Sequence, residues 1–389
     1  MSLFSSKPTA FLGVDIGSDG IKLVQLNKTK GRPQLWTYGM VKEKMNVHLA
    51  TPEHITSSPR QSFGMQPAIE GKINLDQQGL ALGDSQLHTG NQAEIERYSQ
   101  LLKTLVKESR VTTTMATASL PVSYIFHTVI TMPKSEPADI QRIAQAEVTK
   151  FLSRPADEMQ VAHQIIPQSE IEIKQKYMRV LVTAAPKSLV AFYSAIFSKA
   201  GLQLQELETE AFAEERSLVG KDKSTSMIVD IGAERTNFFI IDQGLPMTHR
   251  SIQEGGDRFQ QTLSEILDVD PQLMGQMKKD LSRAPRGAFM STVFDSAIDS
   301  MVKEIQYSFD VFLNQLGNEQ KRPEKIILTG GASVMPIIQE KLQSAFSMKV
   351  FVGDPWARVV YQQRLKPVLD GVGPRMAVAI GLAMRNITE

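Results

Sequence analysis

The sequence predicts an α/β protein of two similar lobes closing on a shared cleft. Three observations carry this. The segment Val14-Asp15-Ile16-Gly17 returns as Val229-Asp230-Ile231-Gly232, each in the same apolar strand–turn–strand frame. The two copies lie a domain apart, too far for a solenoid period. Near the end, Leu328-Thr329 leads a buried strand into Gly330-Gly331-Ala332-Ser333.

Each copy reads as a β-meander. The outgoing strands are residues 21–26 and 237–241, and polar turns follow at 27–33 and 242–246. Residues 40–91 carry Pro52, Pro59 and Pro67 with little periodicity, so they are read as a loop-rich insertion with one or two short strands. From Gln92 the apolar positions Ile95, Tyr98, Leu102 and Leu105 share a helical face. Strands are expected at 115–120, 124–132, 161–166 and 177–184. Helices are expected from Ser135, with Pro137 in the first turn, and over 187–200, ending at Gly201. A strand and a helix then return over 202–218. Beyond the second Asp-Ile-Gly, helices are read at 259–267 and 293–316, and a short strand at 325–328. A helix is expected to open from the glycine pair and run to about Phe346. A strand at 348–352 and a small-residue helix over 374–385 close the pattern.

Composition narrows the function. Among 389 residues, 43 Lys+Arg nearly cancel 42 Asp+Glu, so no single-sign field points to nucleic acid. Cysteine is absent, which removes disulfides, thiolate zinc sites and cysteine nucleophiles. No apolar run reaches the roughly 18–20 residues that span a bilayer, and the N-terminus lacks signal-peptide features. A cytosolic protein is expected, attached to membrane only through a partner.

An Asp-Ile-Gly turn between strands suits phosphate. Glycine lets the backbone approach the anion, and successive N–H groups form a small nest. The carboxylate can hold water around magnesium. Lys22 can reach back along the outgoing strand as a point charge, and Asn237 takes the equivalent place in the second copy, beside Thr236. One such turn is equally a tight hairpin, and one glycine pair is mere turn chemistry. In the order strand-DIG, strand-DIG, strand-GGAS the three read as an ATP site, with the glycine pair as the flat wall for purine and ribose.

These motifs resemble phosphate 1, phosphate 2 and adenosine of the actin-like ATPase superfamily. The stretches FLGVDIGSDGIKLVQL, EVTKFLSRPADEMQVAHQII, VLVTAAPKSLVAFYSAIFSKAGL, ILTGGASVMPIIQEKL and GPRMAVAIGLAMRN are similar to the PilM family of type IV pilus assembly proteins, within the FtsA/PilM branch. The resemblance implies a two-lobed actin-like fold of duplicated ribonuclease-H-like domains with an FtsA-type 1C subdomain. Subdomain 1A would be 1–120 plus 202–222, 1C 121–201, 2A 223–250 plus 321–389, and 2B 251–320.

It also implies ATP and Mg2+ as cofactors. Gly17, Ser18 and Lys22 would grip phosphates, with Gly232, Ala233, Thr236 and Asn237 opposite. Asp15 and Asp230 would lie by the metal, and Asp230 also by the attacking water. Gly330, Gly331 and Ser333 would cradle adenosine, and Gly256 and Lys278 would lie near the nucleotide. Glu210 falls where relatives place a water-orienting side chain; a solvated helix glutamate is the other reading. Asp19, in the first turn, departs from the small neutral residue expected there. The implied partner is the N-terminal cytoplasmic peptide of PilN and, through it, PilO and the inner-membrane platform, with cytoplasmic pilus motor ATPases and self-association left open. At most a slow ATPase is expected. An FtsA-like filament-forming membrane-associated ATPase and a sugar/acetate-type kinase are the alternatives.

Overall fold

The computed structural model describes residues 10–47, 73–74, 89–150, 155–167, 176–267, 294–315, 318 and 320–388. Its frame is two mixed sheets with one strand order. The first meander is β1 (Ala10–Gly17), β2 (Gly20–Thr29) and β3 (Arg32–Lys42). A two-residue β4 (Ile73–Asn74), β5 (Met115–Leu120) and β9 (Gln203–Thr209) complete the order β3-β2-β1-β5-β9-β4. The second sheet is β12-β11-β10-β13-β14, formed by β10 (Ser226–Ile231), β11 (Thr236–Asp242), β12 (Leu245–Ile252), β13 (Lys325–Thr329) and β14 (Lys349–Val352). In both sheets the meander is antiparallel and the two following strands are parallel to the first. The repeat read in the sequence is thus a repeat of whole sheets.

A smaller antiparallel sheet, β6-β8-β7, comprises β6 (Phe126–Pro133), β7 (Met159–Ile165) and β8 (Tyr177–Pro186). Helix α2 (Pro137–Thr149) covers it through Ile140, Ala144 and Val148. This helix starts one residue later than expected. Glu136 is the N-cap and Pro137 the first helical residue, while the Ser135 hydroxyl donates back to the Pro133 carbonyl instead.

Helix α1 (Thr89–Glu108) and α3 (Lys187–Lys199) pack together on the first sheet. The sequence grouped α3 with the inserted block. Leu189, Val190, Phe192, Tyr193, Ile196 and Phe197 are all buried, too wide an apolar face for one small sheet, and they join the first core beside Tyr98 and Leu102. Gly201 ends α3 at φ +81. The short α4 (Glu210–Glu214) runs into a π-turn at Glu215–Val219.

Beyond the second meander lie α5 (Gly256–Leu267), α6 (Asp295–Leu313) and α7 (Pro336–Ala345). Ile298, Met301, Ile305 and Phe312 of α6 fill the second core, as their stripe predicts. The helix expected to open at the glycine pair begins only at Pro336, after a turn over residues 331–334. The reason is local: Gly330 is left-handed (φ +85), and Pro336 supplies a ready first helical residue.

The C-terminal helix α8 (Lys366–Thr388) is longer than expected. It starts two turns before Pro374, which the sequence reading took as its first residue. Pro374 removes one N–H from the ladder, while its carbonyl accepts the Gly330 amide at 3.0 Å and the Thr329 hydroxyl at 3.0 Å. α8 lies on β1 and β2 of the first sheet, with Val24, Leu26, Met376, Ile380 and Met384 in one cluster. α8 also presses on α4: a Cβ on Gly381 would fall 1.7 Å from the Ala213 carbonyl oxygen.

Candidate functional site

The two Asp-Ile-Gly turns face a common cleft of about 950 Å3. In the first hairpin Asp15 pairs directly with Lys22 across the ladder; in the second Asp230 pairs with Asn237. The Lys22 ammonium donates to Asp15 Oδ2 at 2.7 Å, and the Ser119 hydroxyl, from β5, donates to Asp15 Oδ1 at 3.1 Å. In the second hairpin the Asn237 amide bonds the Asp230 carboxylate. Asn237 Oδ1 is buried without a hydrogen-bond partner. Strand pairing therefore sets each Asp beside its partner, and the turn beyond presents Gly17-Ser18 or Gly232-Ala233 to the cleft.

The third wall is the glycine pair. A Cβ on Gly330 would fall 2.3 Å from Asp230 Oδ1 and 2.5 Å from the Ile231 carbonyl oxygen. Only glycine lets this turn seat against the second Asp turn. α5 is docked on the same turn, with the Gly256 N–H donating to the Gly232 carbonyl and the Asp257 N–H to that of Ala233, both at 2.8 Å.

Charge is lopsided at the floor. Asp15, Asp230, Glu210 and Glu214 line the cleft together with Lys22. Burial would lower the Lys22 amine, but Asp15, with help from Asp230 and Asp19, carries it upward instead. Burial, then the Asp15 charge, lifts the Asp230 carboxyl to about 6. Glu210 is pushed up to about 8, by burial first and then by Asp15 and Asp230. Its carboxylate accepts the Val122 N–H at 3.3 Å. Glu214 is driven well above the carboxylate range by burial and then by Asp230, Glu210 and Asp15. It is 1% exposed, and its Oε2 has no hydrogen-bond partner.

Of the residues singled out in the sequence, Asp15, Gly17, Ser18, Lys22, Glu210, Asp230, Gly232, Ala233, Asn237, Gly256, Gly330 and Gly331 line this one cleft. Thr236 and Ser333 do not. Thr236 is fully buried and donates to the Glu254 carbonyl at 2.5 Å; Ser333 donates to the Gly330 carbonyl at 2.8 Å. Both hydroxyls are spent holding the turns in shape. Lys278 lies outside the described residues. Asp19 faces Lys42 at 3.7 Å, so its charge has a cationic neighbour on β3. Sequence reasoning missed Glu214, although it follows Glu210 by four residues and so shares its helical face. It also missed Arg375, which lines the cleft, and Ser119, which holds Asp15 without lining it; strand and helix packing alone bring them there.

Two sheets of one strand order, with Asp-bearing hairpin turns converging on a cleft closed by a glycine pair, define the class: a two-lobed protein of the actin-like ATPase fold. Residues 75–387 match the family described as type IV pilus assembly protein PilM. The chain belongs to that family. A solved PilM-PilN type IV pilus biogenesis complex matches with a TM-score of 0.72 at 20% identity, covering 97% of this chain and 98% of that one. The ethanolamine utilization protein EutJ from Carboxydothermus hydrogenoformans matches at 0.51 and 14% identity, covering 97% and 90%. In sequence, the cell division protein FtsA of Streptococcus pneumoniae serotype 2 (strain D39 / NCTC 7466) is 24% identical over 193 residues. That match spans 44% of this chain and 42% of the relative's length. At these identities the structural likenesses establish the fold.

Among the described residues no helix is long and apolar enough to cross a membrane. Nor does any group of three or more His, Asp or Glu converge there as a protein-built metal cage.

Proposed function

We propose that the cleft binds ATP with Mg2+, and that the nucleotide serves as a closing ligand of a cytoplasmic scaffold in type IV pilus assembly. The observation that carries this is the matched pair of hairpins, Asp15–Lys22 and Asp230–Asn237, aimed into one cleft. Gly17, Ser18 and Lys22 would hold phosphates from one lobe, and Gly232, Ala233 and Asn237 from the other. Thr236 and Ser333 support the turns from behind. Gly330 and Gly331 would flank adenosine, with Gly256 below the second turn; Lys278 joins this set on resemblance alone.

Asp15 and Asp230 fit a magnesium ion. Asp15, Asp230, Glu210 and Glu214 line the cleft with Lys22, and Asn237 Oδ1 is left without a donor. Magnesium keeps several waters and leans on substrate phosphates, so it needs no protein-built cage. Bound there, the ion would neutralise phosphate charge. Glu210 lines the cleft with Asp15 and Asp230 and accepts the Val122 N–H. Turnover in this reading is slow or absent, and ATP acts as a latch that prefers the closed arrangement of the lobes.

In this reading the scaffold docks the N-terminal peptide of PilN. It thereby joins PilO and the inner-membrane platform to the cytoplasmic motor ATPases, and lies peripheral to the membrane. Subdomains 1A, 1C, 2A and 2B keep the sequence-derived division, except that α3 packs with 1A. Titrating a PilN N-terminal peptide into wild type and a Lys22→Ala/Asn237→Ala variant, with and without ATP, tests the coupling. ATP should tighten the peptide on wild type only; equal affinity in all four arms would overturn the latch.

A further inference from the structure

Beside the glycine pair the cleft holds a further cation, Arg375. Arg375 stands on α8, one residue past Pro374, whose carbonyl bonds Gly330 and Thr329. Those two bonds pin the helix to the glycine pair. The Arg375 stem runs alongside Gly331: a Cβ there would stand 3.4 Å from Arg375 Nε, 3.7 Å from Cγ and 4.0 Å from Cδ. Arg375 lines the cleft and makes no hydrogen bond or ion pair among the described residues. Asp370, a neighbour on the same helix, is engaged by Lys366 at 2.9 Å. Arg385, further along α8, is by contrast sunk into Glu208.

Apolar surface is also left open around this cleft. Val334, which follows the GGAS turn, is 39% exposed, and Val368, in the first turn of α8, is 54% exposed; both line the cleft. A planar cation, flat glycine backbone and two open valines suit a flat aromatic ligand. Phosphate would instead call for backbone N–H groups and a point-charge cation, as the Gly17-Ser18 turn beside Lys22 offers.

We propose that Arg375 is a specificity-determining residue of this cleft, its guanidinium lying over one face of the base of a bound nucleotide. The inference rests on the nucleotide reading above and adds the residue that would tell a nucleoside triphosphate from bare triphosphate. Arginine suits this role because its delocalised plane lies flat on an aromatic face, whereas a lysine ammonium offers only a point charge.

Calorimetric titration of ATP and of inorganic tripolyphosphate, each with Mg2+, into wild type, Arg375→Ala and Arg375→Lys tests it. Circular dichroism melts check that each variant folds; Arg375 is partly exposed and unpaired, so both should melt as wild type does. The expected result is about a tenfold loss of ATP affinity in both variants, with tripolyphosphate affinity unchanged. Equal loss for both ligands would make Arg375 a phosphate contact and overturn the proposal. So would full ATP affinity in Arg375→Lys, or no change in either variant. A wild type that binds neither ligand would instead overturn the nucleotide reading, and this inference with it.

Discussion

Lys22 places its ammonium 2.7 Å from Asp15 Oδ2, and the same Nζ lies 3.4 Å from where a Cβ on Gly17 would stand. One lysine thus neutralises the buried acid of the first hairpin and hangs over its turn. Removing it strands Asp15 with only the Ser119 hydroxyl. Lys22→Ala should lower stability to urea by about 1–3 kcal/mol. Adding Asp15→Asn should recover part of that loss, because the uncompensated charge goes with it. A double variant as unstable as the sum of the singles would show that the pair is not coupled.

Gly330 and Gly331 are adjacent but not equivalent. At Gly330 a methyl would collide with Asp230 Oδ1 at 2.3 Å and force φ +85 on an L-residue, whereas at Gly331 it would meet only the Arg375 side chain at 3.4 Å. The backbone conformation alone costs about 1–2 kcal/mol. Gly330→Ala should therefore lower the melting temperature clearly, while Gly331→Ala should stay near wild type. Differential scanning calorimetry of the two variants side by side checks the order.

Under α8 lies a buried ionic knot outside the cleft. Glu208, 3% exposed, takes Arg216 on both oxygens at 2.9 and 2.8 Å and also pairs with Arg385; Arg216 donates to the Gly381 carbonyl at 2.6 Å as well. Glu208→Ala removes the buried carboxylate that Arg216 and Arg385 share. We expect a loss on the order of 3–5 kcal/mol in equilibrium unfolding. A loss below 1 kcal/mol would mean that water reaches the guanidinium.

His249, on β12, packs against Phe239 and, edge to face, against His127 at 5.6 Å between ring centroids. Burial, with Arg250 nearby, lowers its pKa to about 4. The unfolded chain takes up this proton near pH 6.5 and the native state only near 4. Stability is therefore full above the unfolded value and falls as the pH drops from 6.5 toward 4. The span is on the order of 3 kcal/mol. His249→Gln should flatten the unfolding-versus-pH curve over that interval while leaving it unchanged at pH 8.

The meanders were legible in the sequence because apolar strands flank an Asp-Ile-Gly turn twice, and strand pairing converts that spacing directly into matched sites. Asp15–Lys22 and Asp230–Asn237 could be named as equivalent from position alone. What escaped depends on packing across the chain. Thr236 and Ser333 look like ligand hydroxyls in one dimension but turn inward to the Glu254 and Gly330 carbonyls. Pro374 reads as a helix start, yet α8 continues through it, pinned to the glycine pair by the proline carbonyl. Arg375 and Glu214 carry no motif. They reach the cleft because α8 and α4 are pressed together at Gly381 and Ala213.

The proposed latch requires the two hairpin turns to hold one nucleotide between them. Equilibrium dialysis of purified protein against radiolabelled ATP with Mg2+ tests it most directly. One ATP per chain should bind wild type, and binding should fall at least tenfold in Lys22→Ala and in Asn237→Ala, one variant from each lobe. Binding unaffected by either substitution, or no binding by wild type, would contradict it.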